Sequence, residues 1–236
     1  MIAVIQAGGK GTRLQPYTFV MPKPLMPVGD LPVLAILLKW LRRWGIRKAY
    51  ITTGYLGHLI RSLCTNGHSS GIDLTFSEEP EPLGTIGGLS LIRDNLHETF
   101  LTLNGDLITD LNLRDFISYH EGHGGLLTVG VTEKNIKVDL GVLESHEGIV
   151  DTFREKPSMR FKVSMGIYCM EPGLLDLIPS GSPFGFDDLI NEMLQQKLPI
   201  HVFEHHGLWW DIGREEDFRY AQSVFVKDHK STVLGC

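Results

Sequence analysis

Ala3-Val4-Ile5-Gln6-Ala7-Gly8-Gly9-Lys10-Gly11-Thr12-Arg13-Leu14 is followed by Pro16, Thr18, Pro22, Lys23 and Pro24. A short apolar strand runs here into a glycine-rich turn, with two cations just beyond it. Such a turn can aim several backbone N–H groups at one point, and that point attracts an anion. The prolines restrict the segment that carries Arg13 and Lys23. The stretch therefore reads as a polyphosphate grip at the end of a sheet. It lacks the Gly-x-x-x-x-Gly-Lys-Ser/Thr spacing of a P-loop. Leu14 stands where a dinucleotide fingerprint needs its third glycine, which argues against a nicotinamide or flavin site.

Working outward, strand-like and helix-like segments alternate. Residues 2–6, 48–53, 73–77, 99–104 and 126–132 are rich in Val, Ile, Leu and Thr and read as strands. Residues 33–44, 55–64, 113–120 and 186–196 carry apolar residues at helical spacing, and 215–226 fits a last helix. β-then-α repetition predicts an α/β fold with a doubly wound, mainly parallel, Rossmann-like sheet and helices on both faces. Ligands bind such sheets at the carboxyl ends of the strands. Beyond about Asp139 the pattern turns to short strands near 141–143, 165–169 and 200–204. These read as a mixed, β-rich extension of the same sheet plus a flap.

The chain of 236 residues is read as one domain, 1–236. Its two parts are about 1–135, with the β-then-α repetition, and about 136–220, with the short strands. Hydrophobic content of 42% and charged content of 21% are ordinary for a globular protein. A formal charge of −6 argues against a nucleic-acid surface, but not against a local cationic site for a nucleotide. Cys64, Cys169 and Cys236 have neither metal spacing nor an even-numbered disulfide framework, which fits a reducing cytoplasm. No apolar run approaches a membrane span, the N-terminus lacks a signal-peptide pattern, and the terminal Cys236 is no prenylation box.

Gly-x-Gly-Thr-Arg-Leu-x-Pro-x-Thr-x-x-x-Pro-Lys-Pro-Leu, taken as one unit from Gly9, resembles the signature of the sugar-1-phosphate nucleotidyltransferases. The resemblance extends to Glu79-Pro80-Glu81-Pro82-Leu83-Gly84-Thr85, to Asn104-Gly105-Asp106, to Glu155-Lys156-Pro157 and to Trp210-Asp211-Ile212-Gly213. Overall it is most similar to mannose-1-phosphate guanylyltransferase catalytic domains and to enzymes acting on heptose 1-phosphate. Some relatives append a hexapeptide β-helix, for which no repeat occurs here.

The resemblance implies attack by a sugar-phosphate oxygen on the α-phosphorus of an NTP, with pyrophosphate leaving. The nucleophile is already an anion, so the task is to bring two polyanions together and stabilise spreading charge. By the same resemblance, about 1–135 would be the nucleotide-binding part and about 136–220 the sugar-phosphate-binding part, and Arg13 and Lys23 would be catalytic. Ala7, Gly8, Gly9, Gly11, Thr12, Glu79, Gly84 and Thr85 would hold the nucleotide. Asn104, Gly141, Glu155, Lys156 and Ser164 would hold the sugar phosphate, and Asp106 and Asp211 would bind Mg²⁺. A carboxylate at Glu79 accepts only, which suits the donor edge of guanine and so GTP. UTP, CTP or dTTP, a cytidylyltransferase for a non-sugar alcohol phosphate, and a silent nucleotide-sugar sensor remain as alternatives.

Two departures stand out. Ser164-Met165-Gly166 replaces the Asn-Ala-Gly of many relatives, which bears on the sugar. Gln6 replaces an apolar residue of the first strand and would either touch base or ribose or bond neighbouring backbone. His120, His123, His205 and His206 lack metal-ligand context. Trp40 and Trp44, at i and i+4, read as core or subunit contact, which leaves a homo-oligomer open.

Overall fold

A computed structural model describes residues 1–64, 71–225 and 230–235. Val226, the end of the expected last helix, and Cys236 lie outside the described residues. The strands are β1 (Ile2–Ala7), β2 (Pro27–Val28), β3 (Leu31–Pro32), β4 (Lys48–Thr53), β5 (Asp73–Glu78), β6 (Phe100–Asn104) and β7 (Leu107–Thr109). They continue with β8 (Leu127–Lys137), β9 (Val142–His146), β10 (Ile149–Arg154), β11 (Ser158–Met170), β12 (His201–His205) and β13 (Trp209–Asp211). The helices are α1 (Val33–Arg43), α2 (Gly57–Leu63), α3 (Leu113–His123), α4 (Phe186–Gln195), α5 (Glu215–Val224) and α6 (Lys230–Leu234).

Seven strands form the central sheet in the order β12-β8-β11-β6-β1-β4-β5. β1 pairs in parallel with β4 and β6, β4 with β5, and β12 with β8. β11 runs against both its neighbours, β6 and β8. The mixed, mainly parallel sheet expected from the β-then-α pattern is what the chain forms. Period-2 alternation then sorts side chains between two cores. Ala3, Ile5 and Ala7 of β1 pack on one face with α1, whereas Val4 packs on the other with Leu89, Leu175 and Leu189. Buried on both faces, such strands read as nearly continuous apolar runs.

α1 buries Leu34, Leu37, Leu38, Trp40 and Leu41, each worth about 1.5–3 kcal/mol relative to exposure. Trp40 is therefore core. α3 starts where the Asn112 side chain accepts from the backbone N–H groups of Arg114 and Asp115, and it ends at Gly124 in the left-handed region. Three expected short strands prove longer or shifted. The 165–169 segment is the end of the thirteen-residue β11, the 141–143 segment belongs to β9, and β8 runs on to Lys137. β10 escaped the sequence reading. The lower half of β8 and β11 and the β9–β10 pair are exposed, so no core imposes an apolar pattern on them. Among the described residues no helix is long and apolar enough to cross a membrane.

Candidate active site

The glycine-rich turn leaves β1 at Ala7. Gly11 sits at φ 61°, and a Cβ there would come within 3.0 Å of the Thr18 methyl and 3.3 Å of Lys23 Cβ. Only glycine fits that position without strain. The Thr18 hydroxyl donates to the Gly11 carbonyl at 2.9 Å, and buried Leu14 anchors the turn that presents exposed Arg13. Lys23 follows on a short turn held between Pro22 and Pro24, so its direction is set by backbone restriction.

On the next strand of the sheet, Gly105 lies under the end of β1. Its N–H donates to the Gln6 carbonyl at 2.9 Å, and a Cβ would stand 2.8 Å from that same oxygen. The next residue, Asp106, is thereby placed beside the glycine turn. β7 then pairs antiparallel with β13, matching Leu107 to Asp211. The two acidic motifs thus meet through backbone pairing. Lys23 Nζ is ion-paired with Asp106 Oδ2 and stands 3.3 Å from Asp211 Oδ1. Burial pushes the Asp106 carboxyl up, the Lys23 ammonium opposes that shift, and the Asp211 charge adds to it. Gly213 closes the group: a Cβ there would lie 2.8 Å from Lys23 Nζ, 2.9 Å from Asp211 Oδ1 and 3.0 Å from Arg13 Nη2.

A cavity of about 450 Å³ opens beside these residues. Ala7, Gly8, Gly9, Gly11, Thr12, Arg13, Lys23, Glu79, Gly84, Thr85, Asn104 and Asp106 all line it, and so do Gln6, Pro24 and Pro82. Glu79 Oε2 accepts from the Leu83 N–H at 3.0 Å and the carboxylate also bonds Thr52. Burial pushes its carboxyl up against those two bonds. Its Oε1 sits 2.8 Å from where a Cβ of Gly8 would stand, so the glycine-rich turn and the Glu79 loop touch. Gly84 has φ 79°, and its close approach is to the Phe184 backbone, 2.7 Å from a Cβ to the carbonyl oxygen. The Thr85 hydroxyl is engaged by the Phe186 N–H at the start of α4.

The remaining expected residues lie outside that lining. Gly141 adjoins Glu155, with Oε2 3.3 Å from a Cβ at Gly141, and both are exposed beside the β9–β10 pair. Lys156 is exposed with φ 43°. Ser164 Oγ accepts from the Gly166 N–H at 3.2 Å and lies 3.1 Å from the Tyr168 hydroxyl. Gly166, at φ 70°, packs against the Asn104 amide where a Cβ would overlap it. Ser164 and Asn104 are thus linked through the irregular register of β11. The histidines serve the scaffold: His120 Nδ1 and His123 Nε2 meet the Thr128 hydroxyl at 2.8 and 2.7 Å, and His205 meets Asp110 at 2.9 Å.

The profile of the nucleotidyl transferase family matches residues 2–227. The chain belongs to that family. The catalytic subunit beta of the mannose-1-phosphate guanylyltransferase of Danio rerio is 33% identical over 96% of this nucleotidyl transferase chain. The UTP–glucose-1-phosphate uridylyltransferase of a Synechocystis strain is 31% identical over 99% of it. The chain spans about two thirds of the length of these relatives, 65% and 66%. HddC from Yersinia pseudotuberculosis superposes with a TM-score of 0.76 at 24% identity, covering 94% of this chain and 98% of that one. HddC has also been solved with GMP-PN, and there the TM-score is 0.74.

The divalent cation expected of the family fits the residues present. Two oxygen-donor side chains already converge on one cationic atom, Lys23 Nζ. Hard cations such as Mg²⁺ take few protein carboxylates and complete their shell with water and phosphate. Among the described residues no cluster of three or more His, Cys, Asp or Glu side chains offers a closed all-protein cage.

Proposed function

We propose that this chain transfers a nucleotidyl group from an NTP to a sugar 1-phosphate, releasing pyrophosphate. GTP is the favoured nucleotide and mannose 1-phosphate or a heptose 1-phosphate the favoured acceptor. The observation that carries the reaction class is the meeting of Lys23, Asp106, Asp211 and Arg13 beside the Gly8–Gly11 turn. That arrangement suits two polyanions held at one phosphorus. The guanylyltransferase relative and the acceptor-only carboxylate of Glu79 favour GTP.

In this reading the backbone N–H groups of the turn and the Arg13 fork bind the β- and γ-phosphates. A sugar-phosphate oxygen forms the new P–O bond to the α-phosphorus. The α–β bridge breaks with its electron pair going to pyrophosphate, whose charge Arg13 neutralises. Lys23 faces the α-phosphate once the nucleotide competes with the two aspartates for its ammonium. Asp106 and Asp211 would hold Mg²⁺, which supplies charge neutralisation at the transferring phosphoryl group. Asn104 and Ser164 form the sugar side, and Glu155 and Lys156 reach the acceptor from the β9–β10 region. Glu79 orients the base at the far end. A pyrophosphate-release screen of the four common NTPs and dTTP against a panel of sugar 1-phosphates tests this. Release with GTP and a hexose or heptose 1-phosphate is expected. Release only with UTP would move the base assignment, and no release with any pair would overturn the reaction.

A further inference from the structure

Gln6 occupies a position that the proposed reaction leaves unused. In register, it lies between Thr52 of β4 and Asn104 of β6. Adjacent residues of a parallel sheet project to the same face, so these three form one polar row across the end of the sheet. The row shares the face of Val4, and Gln6 and Asn104 line the cavity together with Glu79. Thr52, on one side of Gln6, bonds the Glu79 carboxylate. Asn104, on the other side, packs against Gly166. The Gln6 Nε2 is buried and, among the described residues, has no hydrogen-bond partner. A buried amide without partners is costly, and a bound ligand is the group that can relieve it. A carboxamide turns either its N–H or its carbonyl toward the cavity by a half-turn of its last torsion.

We infer that Gln6 is a second base-reading residue, donating its side-chain N–H to a ring carbonyl of the nucleotide base while Glu79 accepts from the neighbouring N–H edge. The inference rests on the reading that the cavity takes an NTP with its base toward Glu79. The choice of base over sugar follows from the row. Asn104 stands between Gln6 and β11, on the sugar side, whereas only Thr52 separates Gln6 from Glu79. The choice of donor follows from composition. Glu79 brings acceptors alone, and a guanine edge also presents a carbonyl, which needs a donor. A leucine at position 6 would leave that carbonyl buried and unpaired. Gln6 thus separates bases that carry a carbonyl at this edge from those that carry an amine.

The test is equilibrium binding by calorimetry, with Mg²⁺ present, of two matched nucleotide pairs. GTP is set against 2,6-diaminopurine ribonucleoside triphosphate, and UTP against CTP. Each pair exchanges one carbonyl for an amine and the adjacent ring N–H for a bare ring nitrogen, so Glu79 contributes to the wild-type ratio and Gln6 is read from the change in ratio on substitution. The wild-type chain should prefer the carbonyl member. Gln6→Leu should shrink that preference about tenfold or more, the size expected when a buried partner is lost. Gln6→Glu, an acceptor of the same shape, should turn it toward the amine member. Gln6→Asn, which withdraws the amide by one methylene, gives the same reading as leucine should the leucine variant fail to fold. The KM for the sugar 1-phosphate should stay within about twofold of wild type. Unchanged ratios in every variant, or a change confined to the sugar 1-phosphate, would overturn the inference. A chain that prefers UTP to GTP but loses its UTP-over-CTP ratio on Gln6→Leu upholds Gln6 while refuting the guanine assignment. Failure to bind any nucleotide refutes both.

Discussion

Ile212 donates its backbone N–H to the Asp106 carbonyl at 3.1 Å, and this bond sets Asp211 beside Asp106. Position here is fixed by main-chain pairing between β7 and β13, so the two carboxylates can be altered chemically without dismantling the strands that hold them.

Asp106→Asn and Asp211→Asn should each lower kcat by on the order of 10²–10³ while leaving the melting temperature close to wild type. Pyrophosphate release across a Mg²⁺ titration is the measurement. A variant that keeps its rate at saturating Mg²⁺ removes that carboxylate from the reaction.

Arg13→Ala should reduce kcat by on the order of 10²–10³, because in the proposed reaction its charge meets the leaving pyrophosphate in the transition state. Lys23→Ala should lose activity comparably and also lose stability, since Asp106 and Asp211 would face each other with no cation between them. Steady-state kinetics and thermal melts separate the two. An Arg13→Ala effect confined to KM would mean equal binding of ground and transition states.

Gly213→Ala tests the packing of the charged group. Its Cβ would enter within 3.0 Å of Lys23 Nζ, Asp211 Oδ1 and Arg13 Nη2. All three are side-chain atoms that can yield, so the fold should persist and kcat should drop about tenfold through misplacement. An unchanged kcat would mean that these three groups need no fixed geometry.

Glu79→Gln should narrow the preference for GTP over UTP and dTTP by about tenfold, because one accepting oxygen becomes a donor. It also carries a pH signature. Burial holds the folded Glu79 carboxyl above its unfolded pKa, so ionised Glu79 destabilises the fold above the folded pKa. That cost shrinks as pH falls below the raised value and is gone once pH is below the unfolded pKa. Glu79→Gln should therefore melt slightly higher than wild type at neutral pH, and the difference should vanish on acidification. Parallel melts from pH 4 to pH 8 check it, and a constant difference would contradict it.

Lys156→Ala should raise the KM for the sugar 1-phosphate about tenfold and leave the KM for the NTP unchanged, since the residue lies apart from the nucleotide cavity. An equal rise in both would place Lys156 on the triphosphate.

The sheet was legible because β1, β4 and β6 are short apolar runs bounded by turns, and α1 keeps helical spacing between the first two. The glycine turn was legible because Gly11 has to be glycine where it stands. What escaped is non-local. No spacing foretells that β13 pairs with β7, or that Lys23 lies between Asp106 and Asp211 in the free chain. Gly84, read as a nucleotide-binding residue, lines the cavity and is also crowded against Phe184, a neighbour that only the return of the chain before α4 supplies. The exposed β9–β10 pair has little alternation to detect, as solvent lies on both of its faces.

Gly8 belongs to the glycine-rich turn, yet the space its missing side chain leaves is taken up by the Glu79 carboxylate. In the proposed function, the phosphate-holding and base-reading halves of the site therefore share a wall. Alanine at position 8 would stand 2.8 Å from Glu79 Oε1 and would push that carboxylate out of line. Base preference can accordingly drift through changes in a segment whose chemistry is blind to the base. A directed-evolution search for altered nucleotide choice would do well to include the turn along with the Glu79 loop.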